Sequence, residues 1–402
     1  MSIVWEKKDQ VQARFSWVSG LSVARWIWMP LVLFAVTRLG IALVAYLAVP
    51  LIADSPIGIY HLRPPDNVLI DVFGSRWDTG FYVNIAEEGY QYEGAELPSV
   101  AFFPLMPLMI RTLTPLVGDS LLAGILISNI ALILATVLLY RIVSEGWGQR
   151  IADRTTWYFL IFPAAFFGAA IYTESLFLLG AIGALYFARR GYWEIAALLG
   201  IAAAMTRFIG IIVAIMLLVE WWVQRRAVTT GRRPSLAALI APASVPLGTL
   251  AFMVYLQRTF GDPLAFINGA AAWGRQPTSP LITLRNLFES PAGGWGSALL
   301  AGSIQTDNWL DFAFLALFFV LGLTLLFQRR WSEGVFVTLG VVISMSSGLL
   351  MSQRRYMWVF FPAFIVLARW GDRPWVDRLV TTISLICLGV FTAMFANGYW
   401  VG

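Results

Sequence analysis

The sequence predicts an all-α, polytopic membrane protein with about eleven transmembrane helices and short interfacial helices in its first long outer loop. Three observations carry that prediction. Of 402 residues, 59% are hydrophobic and only 13% are charged, against about 45–50% and about 25% in a soluble domain. The mean hydropathy is +0.73, more apolar than a water-soluble core of this length requires. Stretches of roughly 20 apolar residues, the length that crosses a bilayer, recur along the chain. Residues 1–402 therefore read as a single integral membrane domain.

The same counts exclude several chemistries. One histidine (His61) and one cysteine (Cys387) cannot build a structural zinc site, a haem or iron–sulfur centre, or a helical HExxH protease. They also exclude an internal disulfide framework and leave little room for a catalytic Cys–His pair. The formal net charge of +5 is not read as a nucleic-acid signal, because basic residues hold the cytoplasmic loops of helical membrane proteins inside. All the basic residues are Arg except Lys7 and Lys8, a bias that points to a GC-rich, prokaryotic genome.

The candidate spans are 26–48, 120–141, 155–171, 174–189, 192–207, 208–223, 236–257, 309–328, 334–351, 356–369 and 378–397. The first is too long for the core of a signal peptide and abuts Arg25, so no cleavable signal is expected. An inside N-terminus puts Lys7, Lys8, Arg14, Arg25, Arg141, Arg150, Arg154, Arg189 and Arg190 in the cytoplasm. Arg225, Arg226, Arg232, Arg233, Arg329, Arg330, Arg369, Arg373 and Arg378 join them, making 18 of the 28 basic residues. The expected topology is N-terminus inside, C-terminus outside. Two outer connections are long, 51–119 and 258–308, and their Trp, Phe, Tyr and Pro content predicts chain folded onto the membrane surface.

The first of these loops gathers eight acidic residues: Asp54, Asp66, Asp71, Asp78, Glu87, Glu88, Glu93 and Glu96. Its centre reads RWDTGFYVNIAEEGY from Arg76 to Tyr90. Trp77, Phe81, Tyr82 and Ile85 share one helical face and Gly89 suits a C-terminal cap. The expectation is an amphipathic interfacial helix with its aromatic face towards lipid. Asp78 has two readings there, an N-cap carboxylate accepting from Gly80 or Phe81 or a carboxylate displayed at the membrane surface, positioned by Arg76 and Trp77. Glu87 and Glu88 sit at the helix C-terminus, where the macrodipole disfavours negative charge. Spacing alone leaves open whether the cluster binds a cation, takes a proton or repels. Three prolines in Ser99–Gly118 (Pro104, Pro107, Pro115) predict a re-entrant or interfacial segment rather than a span, in which Arg111 would be stranded. Arg38, mid-way along the first span, has no evident partner.

RWDTGFYVNIAEEGYQYEG followed by AFFPLMPL resembles the first lumenal loop of the GPI mannosyltransferase 2 family. PAAFFGAAIYTESLFLLG (163–180), MTRFIG (205–210) and SQRRYMWVFFP (352–362) are similar to three further motifs of that family in the same order. One departure is that Phe208 and Ile209 stand where the family has a polar Ser-Asn pair after the Arg.

The resemblance implies a GT-C glycosyltransferase, inverting, moving mannose from a polyprenyl-phosphate carrier such as dolichyl-phosphate mannose to a lipid-linked or glycan acceptor on the extracytoplasmic side. It implies membrane lipid as surroundings: the plasma membrane in a prokaryote, the ER in a eukaryote. Inverting transfer needs one carboxylate base within reach of the acceptor hydroxyl, and Asp78 matches the family's RWD, with Glu93 the second choice. A phosphate leaving group needs cations, and the planar fork of Arg suits that role. Arg207 and Arg355 are first for the donor phosphate, then Arg354 and Arg258. Arg76, Trp77, Tyr172, Glu174 and Trp273 are the remaining substrate-binding candidates. Thr173 and the helix dipole also explain Glu174, and Trp273 with Arg275 can close over substrates. No cofactor is expected, and with an arginine set for the phosphate a divalent metal is redundant. A transporter or flippase of a lipid-linked sugar, or a GT-C enzyme using another sugar, are the competing readings; the sequence has no internal repeat of the kind transporters carry.

Overall fold

The computed structural model describes residues 20–55, 67–226, 234–289, 294–301 and 306–402. Lys7, Lys8, Arg14, His61, Asp66, Arg232 and Arg233 lie outside the described residues, as do parts of both long loops. The described chain is helical. α1 (Gly20–Ala48) leads to α2 (Val68–Gly74), α3 (Thr79–Glu87) and α4 (Leu105–Val117), which occupy the first long loop. Then come α5 (Ser120–Trp147), α6 (Gln149–Leu160), α7 (Glu174–Arg189), α8 (Trp193–Ala204) and α9 (Ile212–Arg226). α10 (Ile240–Ser244) and α11 (Leu247–Phe260) precede α12 (Ala265–Ala270), α13 (Pro280–Phe288) and α14 (Gly294–Leu300) of the second long loop. α15 (Thr306–Phe327), α16 (Trp331–Met345), α17 (Gln353–Trp358), α18 (Pro362–Trp370) and α19 (Pro374–Ala396) complete the chain.

Among the described residues five helices are long and apolar enough to cross a membrane: Arg25–Ala48, Ser120–Trp147, Phe208–Arg226, Asp307–Phe327 and Pro374–Ala396. A sixth is the pair Leu236–Ser244 and Leu247–Phe260, bent by 41° where Pro242 and Pro246 remove backbone donors. The other five expected spans are shorter or broken. α7, α8, α16 and α18 have 16, 12, 15 and 9 residues, and the helix expected over 155–171 stops at Leu160 ahead of Pro163. Hydropathy counts apolar residues and is blind to where a helix ends.

The break after α6 explains Arg38. With no water in an apolar surrounding, carbonyls freed by a broken helix need protein donors. Arg38 supplies them, donating to Ala165 O at 2.8 Å and Leu160 O at 3.2 Å. Small residues let neighbouring helices close up. A Cβ at Gly183 of α7 would stand 2.8 Å from the Leu199 side chain of α8, and one at Gly340 of α16 would stand 2.0 Å from the Phe360 ring.

Polar contacts gather helix ends at two opposite poles. At one, Arg25 pairs with Asp153 at 2.7 Å, Arg190 with Glu145 at 2.7 Å and Arg154 with Asp372 at 2.9 Å. Glu333 is buried there between Arg189 at 2.5 Å and Arg330 at 2.6 Å. At the other pole α2 meets α5 and α19, and α3 meets α4 and α5. Leu105 N of α4 donates to Met205 O at the end of α8 at 3.0 Å, and Arg355 of α17 pairs with Asp78 ahead of α3. α7 connects the two, with Arg189 at its last position and Glu174 at its first.

Removing one partner of a buried ion network costs on the order of 3–5 kcal/mol. Glu333→Gln is therefore expected to lower the Tm of the detergent-purified protein substantially. An unchanged melting curve would mean the Arg189–Glu333–Arg330 network does not hold α7 to α16.

Candidate functional site

Asp78 precedes α3 but does not cap it. It is itself helical at φ −61°, and its side chain makes no capping hydrogen bond. Its Oδ2 instead accepts from Arg355 Nη1 at 2.9 Å, and its backbone N–H donates to the Tyr172 hydroxyl at 3.3 Å. The approach to Asp78 is fixed by two residues. Arg76 is buried, tied to Asp71 at 3.0 Å and to Ala396 O at 3.2 Å, so its guanidinium anchors the chain. Trp77 is left-handed at φ +55°, a conformation that costs a bulky L-residue on the order of 1–2 kcal/mol. Its ring lies edge-on to Trp400, centroids 5.1 Å apart.

Arg355 comes from α17, whose N-cap Ser352 is also left-handed, at φ +75°. Of the three non-glycine residues with positive φ among those described, two introduce the segments that deliver Asp78 and Arg355. Glu174 is wholly enclosed, its side chain 0% exposed, with Arg207 Nη2 at 2.7 Å and Arg355 Nε at 3.5 Å. Arg207 also donates to the Thr173 hydroxyl at 2.7 Å. Four sequence segments thus meet in one charged row, Asp78–Arg355–Glu174–Arg207. Asp78 and Arg207 stay partly open, at 18% and 15% side-chain exposure.

Sequence reasoning missed Tyr356. Three guanidinium carbons surround its ring, Arg355 at 5.2 Å, Arg275 at 5.3 Å and Arg207 at 5.9 Å. Burial alone would push the phenol up, but Arg275, Arg355 and Arg207 outweigh it and hold Tyr356 below its ordinary value. The signal in the sequence was its place beside Arg355 within SQRRYMWVFFP.

Four expectations need correction. Arg354 turns away from the row: it is held by Asp307 at 3.0 Å and Asp311 at 3.2 Å, because consecutive residues of a helix do not share a face. Arg258 is exposed at the end of α11 and Glu93 is exposed beside Tyr92, and neither joins the row. The face of α3 expected to meet lipid is covered by protein. Tyr82 and Ile85 are buried, Phe81 stacks on Phe102 at 4.7 Å, and Met106 and Ile110 of α4 pack with Tyr82. Trp77, being left-handed, lies outside the helical period. Arg111 is not stranded, since it donates to Ala86 O at 2.6 Å and Ile85 O at 3.2 Å and so satisfies the last carbonyls of α3. Gly89 takes φ +100° just beyond the α3 C-cap, as expected, and Glu87 accepts from Ser120 at the N-terminus of α5.

The second long loop also reaches the site. Trp273 lies edge-on to Phe81, centroids 5.0 Å apart, and Arg275 reaches Tyr356. Tyr92 donates to Asp262 Oδ2 at 3.0 Å, which clasps the two loops together. Asp262 also accepts from Asn268 at 2.7 Å and Leu264 N at 2.8 Å. The Asn268 hydrogen bond is the main cause holding its carboxyl below the ordinary range, with slight burial acting the other way. Among the described residues no group of three or more His, Cys, Asp or Glu side chains converges as a metal site.

The family model described as Mannosyltransferase (PIG-V) matches residues 63–226, the segment that supplies Asp78, Glu174 and Arg207. GPI mannosyltransferase 2 from two strains of Cryptococcus neoformans is 27% identical over 146 residues, which is 35% of this chain and 32% of that protein. The chain therefore spans about a third of the length of the curated relatives it matches. An Archaeoglobus fulgidus oligosaccharyltransferase, crystallised with zinc and sulfate, superposes with a TM-score of 0.40 at 12% identity, over 90% of this chain and 53% of that one.

Two outcomes follow. Glu174→Gln is expected to lower the Tm more than Asp78→Asn, because Glu174 is sealed between two guanidinium groups while Asp78 is partly solvated; equal shifts would refute that ranking. A carboxyl whose folded pKa is depressed contributes stability above its unfolded value, near 3.9, and loses it as pH falls through the folded one. A spin label in the 258–268 segment should therefore stay immobile at neutral pH and become mobile only as pH falls below the ordinary carboxyl range. Asp262→Asn should remove that acid step.

Proposed function

We propose that this chain is an inverting glycosyltransferase embedded in a membrane. It moves mannose from a polyprenyl-phosphate donor, of the dolichyl-phosphate-mannose kind, to a lipid-linked or glycan acceptor on the extracytoplasmic face. The observation that carries this reading is the state of Asp78. One of its oxygens is held by the buried Arg355, and Oδ1 has no protein donor among the described residues. A carboxylate fixed on one side and open on the other can take a proton from a bound hydroxyl. The match of residues 63–226 to a mannosyltransferase family supports the sugar.

In this reaction the acceptor oxygen bonds to the anomeric carbon as the bond from that carbon to the phosphate oxygen breaks. The acceptor proton passes to Asp78, and the bonding pair leaves with the phosphate. Arg207 and Arg355 flank the path, and Glu174 holds them in place without touching substrate. Guanidinium groups meet the charge on the leaving phosphate, so the reading involves no resident metal.

The topology belongs to the same proposal. α7, α8, α16, α18 and the broken α6 segment cross alongside the longer helices, for about eleven passes in all. Arg141, Arg150, Arg154, Arg189, Arg190, Arg225, Arg226, Arg329, Arg330, Arg369, Arg373 and Arg378 lie on the cytoplasmic side, as the positive-inside rule requires. The row from Asp78 to Arg207 then faces outwards.

Membranes containing the protein, given labelled polyprenyl-phosphate mannose, should transfer label to lipid or glycan. Asp78→Asn is expected to reduce turnover by at least about 10²-fold while leaving donor binding near wild type. Normal turnover in Asp78→Asn would remove it as the base, and movement of the donor across the bilayer without transfer would favour a flippase.

A further inference from the structure

We infer that Arg275, seated on the ring of Tyr356, takes the charge of the donor's phosphate, so that the second long loop supplies the phosphate subsite. The inference rests on the glycosyl-transfer reading above and deepens it.

The argument is one of charge. Arg207 and Arg355 face Glu174 and Asp78, so within the row each cation has a carboxylate. Arg354 is taken by Asp307 and Asp311. Arg275 differs from all three. Its contacts are Ser347 Oγ at 3.5 Å and Met351 O at 3.4 Å, both neutral and both long for a hydrogen bond. No carboxylate among the described residues lies within ion-pair distance of it. Arg207, Arg355 and Arg275 against Asp78 and Glu174 leave one positive charge without a counterion, and that charge sits on Arg275.

The cation is also held in place. Gln276 N donates to Ser347 O at 3.2 Å and Thr278 N to Ser346 O at 2.9 Å, which zips the Arg275 segment to the turn before α17. Gly348 has no room for a side chain there, since a Cβ would stand 2.9 Å from Thr278 Oγ1 and 3.0 Å from Gln276 O. Two residues before Arg275, the Trp273 indole N–H is buried with no acceptor among the described residues. Its ring lies against Phe81, three residues beyond Asp78. One turn thus carries a cation without a counterion and an indole N–H without an acceptor, and the indole ring touches the helix that follows the proposed base.

A phosphate of a lipid-linked sugar matches this pair. The donor is a phosphodiester with one negative charge, and when the anomeric carbon–oxygen bond breaks its phosphate gains a second. The Arg207 and Arg355 pairs are internally balanced and can orient the group. An uncompensated, pre-positioned guanidinium answers the charge that develops.

The test uses the full chain in nanodiscs, titrated with polyprenyl monophosphate, with the corresponding polyprenol and with inorganic phosphate. Arg275→Gln should weaken polyprenyl phosphate binding roughly ten- to hundredfold and leave polyprenol binding and Tm unchanged, while Arg275→Lys restores part of the loss. Trp273→Phe, which removes only the indole donor, should give a smaller loss in the same direction. Wild-type affinity for polyprenyl phosphate in Arg275→Gln would overturn the assignment. Inorganic phosphate binding as tightly as the lipid phosphate would overturn the lipid-linked source. A wild-type protein that binds no polyprenyl phosphate would overturn the donor reading itself.

Discussion

Everything at the pole that carries Asp78 is arranged around one enclosed carboxylate. Glu174 has no exposure to solvent, and a charge so placed survives only if cations and the local field compensate it. Arg207 and Arg355 do so, and the N-terminus of α7, where Glu174 sits in the first turn, adds a favourable dipole. Because the two arginines come from separate segments, satisfying Glu174 draws the end of α8 and the whole of α17 to the start of α7. Asp78 then follows, since the guanidinium of Arg355 that reaches Glu174 also reaches Asp78.

That dependence explains which parts of the site were legible in the sequence. Asp78, Glu174, Arg207 and Arg355 stood in recognisable motifs, and charge alternation put their segments at the same end of the helices. What no linear pattern contains is which partner each charge takes. Arg354 and Arg355 are neighbours in the chain and point to different carboxylates. Arg76 reads as a substrate-binding candidate but is buried on Asp71 and the Ala396 carbonyl. Arg38 reads as a misplaced charge because its acceptors, Leu160 and Ala165, become free only where α6 breaks. Tyr356 stands in the SQRRYMWVFFP motif, but its significance lies in guanidinium groups that the fold brings around it, Arg207 and Arg275 from distant positions and Arg355 from next door.

The fold was legible to a similar depth. Apolar windows located helices correctly over most of the chain, because the apolar residues that would suit lipid also suit the protein core. The same windows overstated helix length at 155–171 and 356–369, where Pro163 and the turn ahead of Pro362 interrupt the backbone without lowering hydropathy. The amphipathic period of α3 was real, but its apolar face met α4 and Phe102 rather than lipid. Periodicity reports that a face is buried and not what buries it.

α7 carries a consequence for the surroundings of the protein. It has 16 residues, about 24 Å at 1.5 Å per residue, while the apolar layer of a bilayer is about 30 Å thick. Both ends are pinned in ionic networks, so neither Glu174 nor Arg189 is free to reach out along the membrane normal. α7 is enclosed by protein along nearly its whole length, so under the proposed topology a helix this short leaves the charged row recessed beneath the headgroups. On the proposed reading, bilayer thickness then becomes a determinant of how far an acceptor hydroxyl has to travel along the membrane normal to meet Asp78.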